Sequence, residues 1–73
     1  MEEKRKLLNK AVGEHLTVLF DYVDEKLFIT YQRFVEPQTV YEYNRKVYMI
    51  GKDLKTGIRR FDLEGIQKLE LLI

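Results

Sequence analysis

"AVGEHLTVLFDYV", residues 11–23, is where the chain changes its period. Ahead of and into this stretch, Leu7, Leu8, Ala11 and Val12 recur at the spacing that lays one apolar stripe along a helix. From Thr17 the spacing becomes two. Val18, Phe20 and Tyr22 alternate with Leu19, Asp21 and Val23, as side chains do on a strand. The pattern predicts a helix over about 2–12 and a strand over 17–23. Glu2 and Glu3 complement the positive end of the helix dipole and Lys10 the negative end, and Gly13 is placed to stop the helix. About three turns of helix are marginal alone in water, so the apolar stripe must dock on whatever the strands build.

Working outward, "DEK" (24–26) reads as a turn and "LFITYQRFV" (27–35) as a second strand, with Leu27, Ile29, Tyr31, Arg33 and Val35 on one side. Pro37 has no N–H to give a ladder, so it closes that strand or sits on an edge. "TVYEY" (39–43) is a third strand, "NRK" (44–46) a tight turn and "VYMIGK" (47–52) a fourth strand. "DLKTG" (53–57) has the composition of a hairpin loop, and "IRRFDL" (58–63) follows as a fifth strand. After a turn at "EGIQ" (64–67), "KLELLI" (68–73) is a sixth strand or a closing helical turn. The expected architecture is mainly β: one domain over residues 1–73, a small antiparallel barrel of five to six strands with an N-terminal helix. A chain of 73 residues has room for one core.

Composition narrows the function. There is no cysteine, which removes disulfides and thiolate metal sites. No apolar run approaches the ~20 residues of a membrane span, and "MEEKRK" lacks the apolar core of a signal peptide. The expectation is a soluble cytoplasmic chain with no membrane partner. Thirteen basic and twelve acidic residues leave a net charge of +1, too little to grip nucleic acid through bulk charge. Any basic patch must come from arrangement. The single histidine, His15, falls in a connection, and no cysteine or serine is present for it to activate. Gly51 and Gly57 flank a hairpin rather than opening a phosphate-binding helix. An enzyme, a metal site and a cofactor are therefore not expected.

Arginines give the sharpest signal. In "GIRRFDL" (57–63), a strand period puts Arg59 in step with Phe61 and Leu63, and Arg60 with Asp62. Arg33 likewise lies in step with Ile29, Tyr31 and Val35. An unpaired buried guanidinium costs several kcal/mol, so each needs a partner. That partner is either internal, a carboxylate such as Asp21 or Glu36 or a backbone carbonyl, or an anionic ligand held by the planar fork. Both readings stand at this point. Tyr22, Tyr31, Tyr41, Tyr43 and Tyr48 offer either barrel packing or a platform on which bases stack. Tyr41 and Tyr43 share one side of their strand, Val40 and Glu42 the other. Arg45 and Lys46 in one turn, and Lys52 and Lys55 around the next hairpin, could join Arg60 in a stripe along one rim, although turn lysines are usually only solvated.

"VLFDY" (18–22), "RFVEP" (33–37), "RKVYMIG" (45–51) and "IRRFDLEGI" (58–66), in that order, resemble the WYL domain of bacterial proteins. The tripeptide that names the family corresponds to "VYM" (47–49), where Tyr48 is retained and Val47 and Met49 stand for tryptophan and leucine. Glu64, Gly65 and Ile66 replace an aspartate–arginine–isoleucine run common in the family, while Arg33 and Arg59 match its characteristic arginines. The resemblance implies an Sm-like, SH3-type barrel with a leading helix. It also implies a module for nucleic-acid binding or ligand sensing, of the kind appended to transcription regulators, CRISPR-associated regulators and bacterial helicases. The chain is then expected to be excised from a longer protein, with parent domains such as a helicase motor as partners. For single-stranded nucleic acid, DNA favoured, the expected site has Arg33, Arg59 and Arg60 on phosphates and Tyr48, Tyr41 or Tyr43 stacking on a base. Arg45, Lys46, Lys52 and Lys55 would extend the track. The alternative is a sensor in which the same arginines hold a nucleotide or another anion. A third option is a docking module that self-associates weakly through an apolar patch at the "KLELLI" end.

Overall fold

A helix, α1 (Glu2–Glu14), leads into β1 (Thr17–Val23), β2 (Ile29–Tyr43), β3 (Lys46–Asp53) and β4 (Gly57–Asp62). A 3-10 turn, Leu63–Gly65, then delivers β5 (Ile66–Leu72). The structure is a computed structural model and describes residues 2–73. Every strand pairing is antiparallel, in the spatial order β4-β3-β2-β1-β5. The mainly β architecture with one leading helix is as the sequence predicts, but the end strands β4 and β5 do not pair, so the sheet is not closed.

The helix passes through Gly13 and ends at Glu14. His15 takes the left-handed conformation (φ 56°), and the Leu16 N–H returns to the Ala11 carbonyl at 2.9 Å, a Schellman-type close. His15 is an exposed connection residue. "LFITYQRFV" and "TVYEY" are not two strands but one, because Pro37 is absorbed by a bulge. Pro37 lies opposite Gly51 and Thr39 opposite Ile50, so Gln38 is extra. A second bulge sits at Tyr31–Gln32, where Phe20 pairs Arg33 and Tyr22 pairs Thr30. There the Asp21 carboxylate accepts the Gln32 N–H at 2.9 Å, and Gln32 has φ 52°. This bulge breaks the simple alternation expected over 27–35. Leu27, Ile29 and Tyr31 are exposed, while Arg33 is half-buried and Val35 buried. A third bulge, at the left-handed Lys68 (φ 53°), lies in β5, which begins at Ile66 within the expected turn and makes "KLELLI" the continuation of the fifth strand rather than a sixth.

The core joins the helix stripe, through Leu8 and Ala11, to Val18, Phe20, Val35, Met49, Phe61, Leu63 and Ile66. Phe61 is its pivot, edge-on to Phe20 with centroids 5.1 Å apart and to Tyr22 at 4.9 Å. The Tyr22 hydroxyl also accepts the Asp62 N–H at 2.9 Å, which locks the end of β4 beside β1. The 3-10 turn crosses so close to β1 that a Cβ on Gly65 would strike the Val23 carbonyl oxygen and approach Tyr22 Cε1 to 2.9 Å. A backbone oxygen cannot swing aside. Gly65→Ala should therefore cost about 2 kcal/mol and lower Tm by roughly 10 °C, read by a thermal melt; an unchanged Tm would mean the turn does not pack this way.

Candidate functional site

The bulge at Gln32 turns Arg33 toward the inner side of the sheet, and three groups hold it there. Its Nε donates to Asp53 Oδ2 at 3.0 Å, its Nη1 donates to Thr30 Oγ1 at 3.0 Å, and its guanidinium carbon lies 4.9 Å from the Phe61 ring centroid. Asp53 is only 4% exposed. Its other oxygen accepts the N–H of Lys55 at 2.8 Å and of Thr56 at 3.2 Å, so one carboxylate both ties the β3–β4 hairpin and holds the arginine. Burial pushes the Asp53 carboxyl pKa up, but the Lys55 N–H, the Arg33 guanidinium and the Thr56 N–H outweigh it. The net result lies below the ordinary value. Arg33 thus takes an internal partner, though it is neither Asp21, which is spent on the bulge, nor Glu36.

Arg59 is different. Its Nε donates to the neutral hydroxyl of Thr56 at 3.2 Å, and among the described residues no carboxylate lies within ion-pair distance of it. The side chain is exposed, because it sits toward the hairpin end of β4 beyond the core that covers Phe61. Arg33, Arg59 and Arg60 line one solvent-reachable hollow of about 360 Å³, walled by Tyr22, Phe28 and Phe61. Asp24 is the one carboxylate in this lining, and its Oδ1 already accepts the N–H groups of Lys26 and Phe28. Against the three guanidinium groups stand the Asp24 carboxylate and the Asp53 carboxylate bound to Arg33, which leaves one positive charge in excess around the hollow.

The tyrosines are distributed differently. Tyr41 on β2 stacks on Tyr48 of β3, with centroids 5.5 Å apart and planes at 30°, and the Arg60 guanidinium lies 4.7 Å from the Tyr48 centroid. The Tyr41 hydroxyl raises the pKa of Arg60. Tyr48 is thus flanked on both neighbouring strands, and Tyr43 is exposed at the far end of β2. The basic tips do not gather into one rim. Lys46 is paired with Asp62 at 3.4 Å, a hydrogen bond that raises the lysine pKa. Arg45 lies in the β2–β3 turn beside it. Lys52 and Lys55 are at the other end of β3, roughly 20 Å away at strand rise. Sequence reasoning missed Asp53, Thr30, Thr56 and Phe28; "DLKT", an aspartate leading a hairpin, was the available signal for the first.

The family model for the WYL domain matches residues 3–71. The chain belongs to the WYL domain family. A solved structure of proteasome accessory factor B/C (PafBC) of Arthrobacter aurescens superposes on this WYL domain with a TM-score of 0.84 and 22% identity. The match covers 96% of this chain and 11% of that one, so this WYL domain corresponds to a small part of PafBC and shares its fold. No match was found among the curated proteins.

Proposed function

We propose that this WYL domain is a non-catalytic, cytoplasmic accessory module that binds single-stranded nucleic acid, DNA favoured, beside a partner domain such as a helicase motor. The observation that carries this reading is Arg59, whose guanidinium has a neutral partner and opens into the hollow shared with Arg33 and Arg60. Arg33 is pre-positioned by Asp53 and Thr30, which cuts the entropy lost on binding. Arg59 supplies a planar fork suited to a phosphate. The small excess of positive charge points to modest affinity, useful when the module is tethered to a stronger binder.

Fluorescence anisotropy with a labelled oligonucleotide tests this. If about four phosphates are engaged, log K should fall with log salt at a slope near −3. Arg59→Ala should weaken binding on the order of 10-fold and flatten the slope by roughly 0.7. Affinity indifferent to salt, or unchanged in the variant, counts against the proposal. The second reading, a regulator's sensor for a nucleotide or another anion, is favoured by the size of the hollow, about 360 Å³, which suits one small ligand. Saturable stabilisation by mononucleotides with no gain from longer strands would support that reading instead.

A further inference from the structure

On the other side of Arg33 lies a second depression, a groove of about 250 Å³ between β2 and the β3–β4 hairpin. Its apolar wall is Tyr31, Phe34 and Leu54, and two of these are unusually open for large apolar side chains, Tyr31 at 69% and Leu54 at 60%. The groove is built into the backbone. Leu54 N–H donates to the Phe34 carbonyl at 3.0 Å, which fixes the hairpin tip against β2, and the bulge at Gln32 is what turns Tyr31 outward. Arg33, Thr30 and Thr56 line both this groove and the arginine hollow, so the two form one continuous site with the guanidinium of Arg33 as the partition.

That juxtaposition selects an occupant. A cationic hollow next to a narrow apolar groove suits a molecule that carries an anion and a flat apolar face a short distance apart. Lys55 adds a further cation to the groove wall, and its one carboxylate, Asp53, is already occupied by Arg33, Lys55 and Thr56. We infer that the Tyr31–Phe34–Leu54 groove is the base-stacking subsite of the bound strand, taking one nucleobase on Tyr31 while the adjoining phosphate lies against Arg33 and Arg59. This rests on the nucleic-acid reading above and moves the stacking role away from Tyr48, whose flanks Tyr41 and Arg60 already fill. Stacking reads any base, so the subsite adds affinity without sequence preference.

The test compares a labelled oligothymidylate with an abasic strand of the same length, on the wild type, Tyr31→Ala and Tyr31→Phe. The wild type should bind the base-bearing strand about 10-fold more tightly than the abasic one. Tyr31→Ala should lose that preference and keep the abasic affinity, while Tyr31→Phe should retain both. Because Tyr31 is exposed, circular dichroism should show all three folded alike. If Tyr31→Ala keeps the preference, or weakens both strands equally, the subsite is overturned. The same holds if the groove proves to be a protein interface, seen as wild-type dimers that Tyr31→Ala dissolves while base preference persists. Wild-type binding that is salt-dependent but equal for the two strands overturns the subsite alone; failure to bind either strand overturns the nucleic-acid reading with it.

Discussion

Phe61→Ala should remove about 3–5 kcal/mol of stability, close to half of what a chain of 73 residues can be expected to have, roughly 4–11 kcal/mol at the usual per-residue range. Phe61 is 1% exposed and joins the core to Arg33. Its ring meets Phe20 and Tyr22 edge-on, and its face lies under the Arg33 guanidinium. Truncation leaves a cavity beside Phe20, Tyr22 and the Arg33 guanidinium. Urea unfolding checks this. The midpoint should fall steeply with the slope unchanged, as expected when stability changes and compactness does not. A loss below about 1 kcal/mol would mean the site closes over the missing ring and Phe61 is not the pivot.

Asp53→Ala is the second large effect, at about 3 kcal/mol. The substitution strands two backbone N–H donors at the hairpin and leaves Arg33, whose side chain is 18% exposed, without its carboxylate. Complete burial would put the cost at the top of the known range; water reaching Arg33 brings it toward the bottom. Asp53→Asn keeps an acceptor for the hairpin and loses only the charge, so it should cost less, about 1–2 kcal/mol. The pH dependence follows from the direction of the pKa shift. The folded carboxyl titrates below its unfolded value. Its contribution is therefore complete above the unfolded pKa, about 3.9, and is lost as pH falls through the lower, folded value. The stability gap between wild type and Asp53→Asn, measured in urea at pH 7 and pH 3, should be present at the first and close toward the second. A constant gap would show that the carboxylate charge is not what holds Arg33.

The helix stripe, the strand of residues 17–23 and the mainly β class were legible because periodicity survives wherever each residue advances the chain by one step. It failed at three places where one does not. Gln32, Gln38 and Lys68 are each an extra residue in a ladder, and none is a glycine that would announce it. The Tyr31–Gln32 bulge had the largest consequence, since it exposes Tyr31 while leaving Arg33 half-buried, although counting by twos places them together. The partner of Arg33 was also beyond the sequence. Asp53 lies 20 positions on and meets it only because β2 runs unbroken past Pro37 to pair with β3. Arg59 was legible as an arginine in step with Phe61, but its exposure depends on where the core ends along β4. The docking-module option requires an exposed apolar patch at the "KLELLI" end. There Leu69 and Leu71 pack on the core and Ile73 alone among them is fully open. The open apolar surface is instead at Leu27–Tyr31, Phe34 and Leu54, beside the arginines.

Binding of an anionic strand in the hollow lined by Arg33, Arg59 and Arg60 is tested most directly by following the arginine Nε–H resonances by NMR while a short oligothymidylate is added. The Arg59 signal should shift and saturate, and Arg33 should follow with its hydrogen bond to Asp53 kept. Arg5, which is paired with Glu42 on the helix side, should stay where it is. Shifts confined to Arg5 and Arg45, with Arg33 and Arg59 unmoved at saturation, would contradict the account.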